Sequence, residues 1–354
     1  MGTETKSFII KSDISSADWH DWRWQRRHRL HRGDQLASLL GYPPSSQDRY
    51  GKLISCYPFC VTPYYLSLVD RDDENDPIAK QCLPDLQEME HSCSSVEDPL
   101  AEEENMPLPG LVHRFPDRCL VMVTNACHTY CRHCNRKRRW REKTRAITRE
   151  ELLSMRDYIS QRPGIREVII SGGDPLTLNE GYLDWLIGAL RSLPNIEVVR
   201  IGSRIPVVMP MRITKKLCRL LRKHRPLWLN TQFNHVREIT AESARACDML
   251  LSAGIPISNQ SVLLKGVNDS YEEMRCLLYG LQRIGVRPYY LFQGDAVTGT
   301  DHLRADISQG MDIMEQLRRN ISGLCLPRYV LDTPGKEGKI PLGPAFLPAP
   351  PTVT

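Results

Sequence analysis

The sequence has no apolar run approaching the roughly 18 residues of a spanning helix, so a helical membrane protein is excluded. Its first residues, MGTETKSFIIKSDISS, lack the apolar core of an export signal. Lys6 stands where a myristoylation motif needs Ser or Thr, so that anchor is excluded as well. Charge of one sign is also missing. Against 42 Asp and Glu there are 47 Lys and Arg, and a net charge of +5 over 354 residues does not by itself call for nucleic acid or a membrane surface. With 41% hydrophobic and 25% charged residues, neither wholesale disorder nor a fibrous fold fits. What is present in unusual number is cysteine, 12 in all. Without an export signal these belong in a reducing compartment, the cytoplasm, where metal or redox chemistry outranks a disulfide framework.

Length suggests about two domains, although an α/β barrel can use most of such a chain as one. Residues 18–40 mix Trp19, Trp22, Trp24, Leu30, Leu36, Leu39 and Leu40 with basic residues, which predicts an amphipathic helix. Its arginines (Arg23, Arg26, Arg27, Arg29, Arg32) form either a solvated face or a grip for phosphates. Residues 84–110, with EDPLAEEEN and several prolines, read as an acidic linker or arm between an N-terminal helical region (1–83) and the rest.

From residue 119 short apolar runs alternate with helical patterns: CLVMVT (119–124), EVIIS (167–171), IEVVRIGS (196–203), LWLNTQF (227–233), ISNQSVLL (257–264), RPYYLF (287–292) and finally RYVLD (328–332). Helix-like stretches lie near 148–161, 180–192, 214–224, 240–253, 271–284 and 308–319. Apolar strands joined by helices predict a parallel sheet covered on its faces. About six such units are too few for an eight-fold barrel. The expected fold is therefore α/β, a partial (β/α)6-type barrel over 111–345, with a Pro-rich tail at 346–354. Ligands then gather at the C-terminal ends of the strands.

The sharpest local signal is Cys127-His-Thr-Tyr-Cys131-Arg-His-Cys134, directly after the first of those strands. A four-iron cluster ordinarily takes four thiolates. With three, one iron keeps a position open to a small ligand, the logic that separates catalytic from structural zinc sites. Zinc is the other occupant this spacing allows, with His128 or His133 as fourth ligand.

CxxxCxxC in this place resembles the radical S-adenosylmethionine superfamily, and Cys131-Arg-His-Cys134-Asn-Arg136-Lys-Arg resembles its lysine 2,3-aminomutase family. The similarity continues through TPYYLSLVD (62–70), EDPL (97–100), PGLVHRFPDR (109–118), SGGDPL (171–176), VVRIGSRIPVV (198–208), WLNTQFNH (228–235), NQSVLLKGVND (259–269) and VRPYYLFQGD (286–295). The resemblance thus spans residues 18 to 345. It implies a [4Fe-4S] cluster on Cys127, Cys131 and Cys134, whose open iron chelates S-adenosylmethionine. It further implies cofactor contacts from Gly172, Gly173 and Asp174, where small residues let a backbone come close, and from Ser203, Arg204 and Gln260.

By the same resemblance Lys339, seven residues after Asp332, holds pyridoxal 5′-phosphate. The family's glycine run reads Gly335-Lys-Glu-Gly338 here, which makes Lys336 a competing candidate. Arg114 is the implied phosphate contact, a task suited to a planar guanidinium. Arg136 is implied to take the substrate carboxylate, and Asp295 with Asp332 the ε-amine of lysine. Two carboxylates at neighbouring strand ends repel unless a cation bridges them. That favours an ω-ammonium substrate and disfavours glutamate, while a guanidinium fits too and leaves arginine open.

The activity implied is a radical 2,3-aminomutation of lysine to β-lysine. Arginine, or lysine carried by a protein or peptide, is the alternative substrate, and an RNA-binding iron–sulfur protein using the basic N-terminal helix and the RKRRW run (136–140) is the non-enzyme alternative. Implied partners are a small basic amino acid, a flavodoxin- or ferredoxin-like electron donor and a second copy of the chain, with neither membrane nor nucleic acid. Clostridial-type relatives add a structural zinc; Ser270 stands where a barrel cysteine would join it, so no zinc is expected. Most remaining cysteines read as small core residues, with Cys56 and Cys60 spaced as a weaker metal pair.

Overall fold

In the computed structural model, which describes residues 13–40, 47–90, 93–335 and 337–343, the chain forms one nine-stranded sheet in sequential order. Its strands are β1 (Leu111–Phe115), β2 (Arg118–Thr124), β3 (Glu167–Gly172), β4 (Val198–Gly202), β5 (Leu227–Thr231), β6 (Ile257–Leu263), β7 (Arg287–Gln293), β8 (Arg328–Asp332) and β9 (Lys339–Pro341). Strands β2 to β8 run parallel. The edges β1 and β9 are antiparallel to their neighbours. Lys336 and the tail 346–354 lie outside the described residues.

Helices Arg149–Ser160, Glu180–Arg191, Lys215–Lys223, Ala241–Ser252, Tyr271–Arg283 and Ile307–Asn320 link the parallel strands, close to the spans expected from periodicity. Each of the first five starts on a side-chain cap, as where Thr148 accepts from the amide of Glu151 and Glu151 returns the bond, satisfying two otherwise orphaned amides. The Arg149–Ser160 helix buries Leu152, Met155 and Ile159, spaced to lie on one stripe. One side of the sheet packs on these helices through Val168, Ile170, Val199, Ile201, Leu227 and Leu229, all fully buried. The opposite parity faces a lumen and ends in small or polar residues: Ser171, Gly202, Asn230 and Gln260 line a cavity at the C-terminal edge.

Two expectations need correction. The predicted helix over 18–40 is three helices, Ser16–His20, Trp22–Arg27 and Gly33–Leu40. Asp21 breaks the first junction: its backbone is extended and its carboxylate caps the next helix. Leu30 breaks the second by exchanging backbone hydrogen bonds with Val61. The acidic segment is also no bare linker. It carries a 3-10 turn at Leu86–Met89 whose Glu88 is buried, and Val96 bridges to Val297 beside the barrel mouth. No described helix is long and apolar enough to cross a membrane.

Candidate active site

A cavity of about 330 Å³ opens where the parallel strands end, lined by Cys127, Cys131, Cys134, Arg136, Gly172, Gly173, Asp174, Ser203, Gln260, Asp295 and Asp332. Lys339 and Arg114 reach it through Asp332. The site residues proposed from sequence are therefore brought together, but several are held differently than expected.

The cysteine loop leaves β2 and is fastened on every side. Arg29 donates to the Cys127 carbonyl at 3.0 Å. The amide of Tyr130 reaches Cys60 O, and Arg132 binds Glu88 through two bonds of 2.9 and 2.5 Å. Lys137 joins the same carboxylate at 2.6 Å. Arg204 donates to Cys131 Sγ at 2.9 Å and to Glu238 at 2.6 Å. Burial pushes the Cys127 thiol well up and Cys134 to about 11. Coordination would reverse this, since iron deprotonates a ligating thiol.

No three His, Cys, Asp or Glu side chains among the described residues converge on one ion. A cluster does not need that, because its thiolates bind separate irons. His128 and His133 each have one ring nitrogen engaged, by Arg29 and Gln232, and the other buried without a partner, so it is the lack of a converging ligand group that disfavours zinc. This donor set fits a cluster better than zinc. Orphaned buried atoms in the same wall, Thr129 Oγ1, Thr231 Oγ1 and His133 Nδ1, are polar groups awaiting a bound partner.

Gly172 and Gly173 are required for a reason other than cofactor approach. A Cβ on Gly172 would stand 2.3 Å from Thr124 O, and one on Gly173 2.4 Å from Ala126 O. The amides of Gly173 and Asp174 donate to those carbonyls. The turn therefore clamps the start of the cysteine loop, and only its carbonyls and α-carbons are left to face a cofactor. Asp174 is similarly engaged: it accepts from Ser203 Oγ at 2.7 Å, from the Arg204 amide at 2.8 Å and from the Leu176 amide. Its carboxylate ties the end of β3 to the end of β4. Burial outweighs these bonds and pushes it up to about 6.

At the far edge β8 and β9 pair Asp332 directly opposite Lys339, and Lys339 Nζ lies 3.1 Å from Asp332 Oδ2. Rings of Phe115, Tyr290 and Phe292 surround that ammonium at 5.9, 5.9 and 5.6 Å. Arg114 gives Nη2 to Asp332 Oδ1 at 2.6 Å and to Thr333 O. So Asp332 is not a bare carboxylate, and Arg114 is not free. Its Nε, however, is buried without a partner, a donor left for a phosphate. Asp295 is different. Its carboxylate receives only the Asn135 amide at 3.2 Å among the described residues, and burial followed by the charge of Asp332 pushes it up to about 6.

Arg136 is held by Glu102 of the acidic arm, at 2.6 Å for the shortest contact. Sequence reasoning missed Glu102, which sits in a Glu-Glu-Glu run that reads as solvated. It also missed the internal use of the basic run: Lys137 and Arg138 bind Glu88 and Asp98 rather than facing solvent, so these two residues offer no open surface to RNA.

The radical SAM superfamily pattern matches residues 121–277. The chain is 44% identical to the L-lysine 2,3-aminomutase of Clostridium subterminale, over 97% of this chain and 82% of that protein. It is 42% identical to the L-lysine 2,3-aminomutase of Bacillus subtilis, over 97% and 73%. The glutamate 2,3-aminomutase of Clostridioides difficile is 40% identical, over 93% and 78%.

Proposed function

This chain belongs to the lysine 2,3-aminomutase family of radical S-adenosylmethionine enzymes, and from that membership we propose that it converts free L-lysine to β-lysine. Cys127, Cys131 and Cys134 would hold the [4Fe-4S] cluster with one iron open to S-adenosylmethionine, and Lys339 would hold pyridoxal 5′-phosphate. When bound, these groups supply a hydrogen-abstracting radical and an electronic path for nitrogen to move from the α- to the β-carbon. The chain supplies placement. Arg136 takes the carboxylate, Asp295 and Asp332 the ε-ammonium, and the rings around Lys339 exclude water. A flavodoxin- or ferredoxin-like carrier gives the electron, and the enzyme works in the cytoplasm as a homo-oligomer; family membership is the support for all three.

The observation carrying the substrate is Asp295, a half-buried carboxylate of the cavity wall that makes no ion pair among the described residues and feels the charge of a second carboxylate, Asp332. An ω-ammonium satisfies Asp295, whereas a glutamate side chain would set a second unpaired negative charge beside it, Asp332 being already paired with Arg114 and Lys339. The test is turnover. Anaerobically reconstituted, reduced enzyme is given S-adenosylmethionine with lysine, arginine, ornithine or glutamate, and β-amino acid products are analysed. Lysine is expected to react fastest; faster turnover of arginine would overturn the assignment.

A further inference from the structure

The guanidinium of Arg136 has five N–H donors. Glu102 takes the side-on edge: Oε1 and Oε2 accept from Nε at 3.1 and 2.9 Å, and Oε1 accepts from Nη2 at 2.6 Å. Such a fork fixes the plane as well as the position of the group. The remaining end, Nη1 with the second Nη2 proton, has among the described residues only long contacts, 3.4 Å from Nη1 to Ser171 Oγ and to Gly172 O, both in the cavity wall.

Glu102 is itself fixed. It is 5% exposed, and Arg138 bridges it to Asp98. The turn that presents it is held by the Asn105 amide on Glu102 O, the Asn105 side chain on Ala101 O, and the His113 amide on Asn105 O. Ala101, just before Glu102, has φ +49°, a left-handed conformation that an alanine adopts only when its surroundings enforce it. A strained backbone, a buried carboxylate and a two-point fork all converge on the direction of one guanidinium.

We propose that Glu102 is the positioning residue that aims the free end of Arg136 at the substrate's carboxylate, and so sets the preference for an α-amino acid over the corresponding amine. Because Glu102 neutralises Arg136, the attraction rests on oriented N–H groups rather than on a bare positive charge. A ligand without a carboxylate at that place gains nothing from the alignment. The inference rests on the reading of Arg136 as the carboxylate contact.

The experiment uses the holoenzyme, with cluster and pyridoxal phosphate bound and S-adenosylmethionine absent. Lysine and 1,5-diaminopentane, which is lysine without its carboxylate, are titrated against the visible pyridoxal absorption. The native enzyme is expected to favour lysine. Glu102→Gln should weaken lysine roughly tenfold or more, the worth of a charge-assisted hydrogen bond, while diaminopentane binding and iron content stay unchanged. Glu102→Asp keeps the charge but shortens the reach, and should lose part of the same margin; it carries the test if the Gln variant does not fold. Equal weakening of both ligands would reduce Glu102 to scaffold. Tighter lysine binding would make it a competitor for Arg136, and either result overturns the proposal. If the native enzyme itself binds both ligands alike, Arg136 does not read a carboxylate, and that prior reading is what has failed.

Discussion

Among single residues, Asp295 shows most clearly how function opposes stability. Its carboxyl is pushed up to about 6 from an ordinary 3.8, first by burial and then by Asp332. The folded state therefore holds a proton between about pH 4 and 6 that the unfolded chain has released, so this group's contribution to stability falls as pH rises through that window. Asp295→Asn removes the buried charge. In the cofactor-free protein it should stabilise by about 3 kcal/mol at pH 7, since each tenfold rise in proton affinity is worth about 1.4 kcal/mol, with the gain vanishing below about pH 4. Lysine binding should be lost in the same variant. In the native enzyme that binding should weaken as pH drops through about 6, where the carboxylate is neutralised. Urea denaturation of native and variant protein at several pH values, paired with ligand titration, checks both; a gain over the native protein no larger at pH 7 than at pH 4 would contradict the account. The position of Asp295 after an apolar strand was legible in the sequence. The neutralisation of Asp332 by Arg114 and Lys339 was not, because it depends on which strand edges meet.

At the scale of elements, the strands β2 to β8 were legible because burial on helices and lumen leaves nearly continuous apolar runs. β1 and β9 were not. One reads LVHRF, with polar residues inside it, and the other is three residues long, so neither carries a strand's period. Two turns at opposite ends of the sheet make separable predictions. Gly173→Ala would drive a Cβ into Ala126 O, and backbone cannot yield as a flexible side chain does. That variant should lose cluster content on reconstitution while still binding pyridoxal phosphate. Gly338, at φ +80°, forms the turn that delivers Lys339. Gly338→Ala carries a left-handed penalty of about 1–2 kcal/mol, and should weaken pyridoxal binding with iron content unchanged. Iron analysis and the visible spectrum read the two apart. Loss of both cofactors in both variants would mean that the ends are not independent.

For the whole molecule, the sequential strand order leaves β1 and β9 as the two edges of one sheet, and no backbone ladder joins them. Side chains join them instead. Arg114 on β1 donates to Asp332 on β8 and to Thr333 O. Phe115 of β1 meets the Lys339 ammonium and lies 3.4 Å from the site of a Cβ on Gly338. The partial barrel is thus drawn together at the point where Lys339 sits. This explains how a lysine on β9, remote in strand order, comes through Asp332 to the edge of the cavity that the cysteine loop after β2 lines. It also gives Arg114 a duty that precedes any phosphate. Removing its charge-assisted bond to Asp332, with 7% and 12% of the two side chains exposed, should cost about 2 kcal/mol. Arg114→Gln should therefore lower the urea midpoint of the protein with no pyridoxal phosphate present. A residue that served only the cofactor would leave that midpoint unchanged and lower stability only in the loaded enzyme. An unchanged cofactor-free midpoint would thus return Arg114 to the phosphate role alone and leave the seam to the contacts of Phe115.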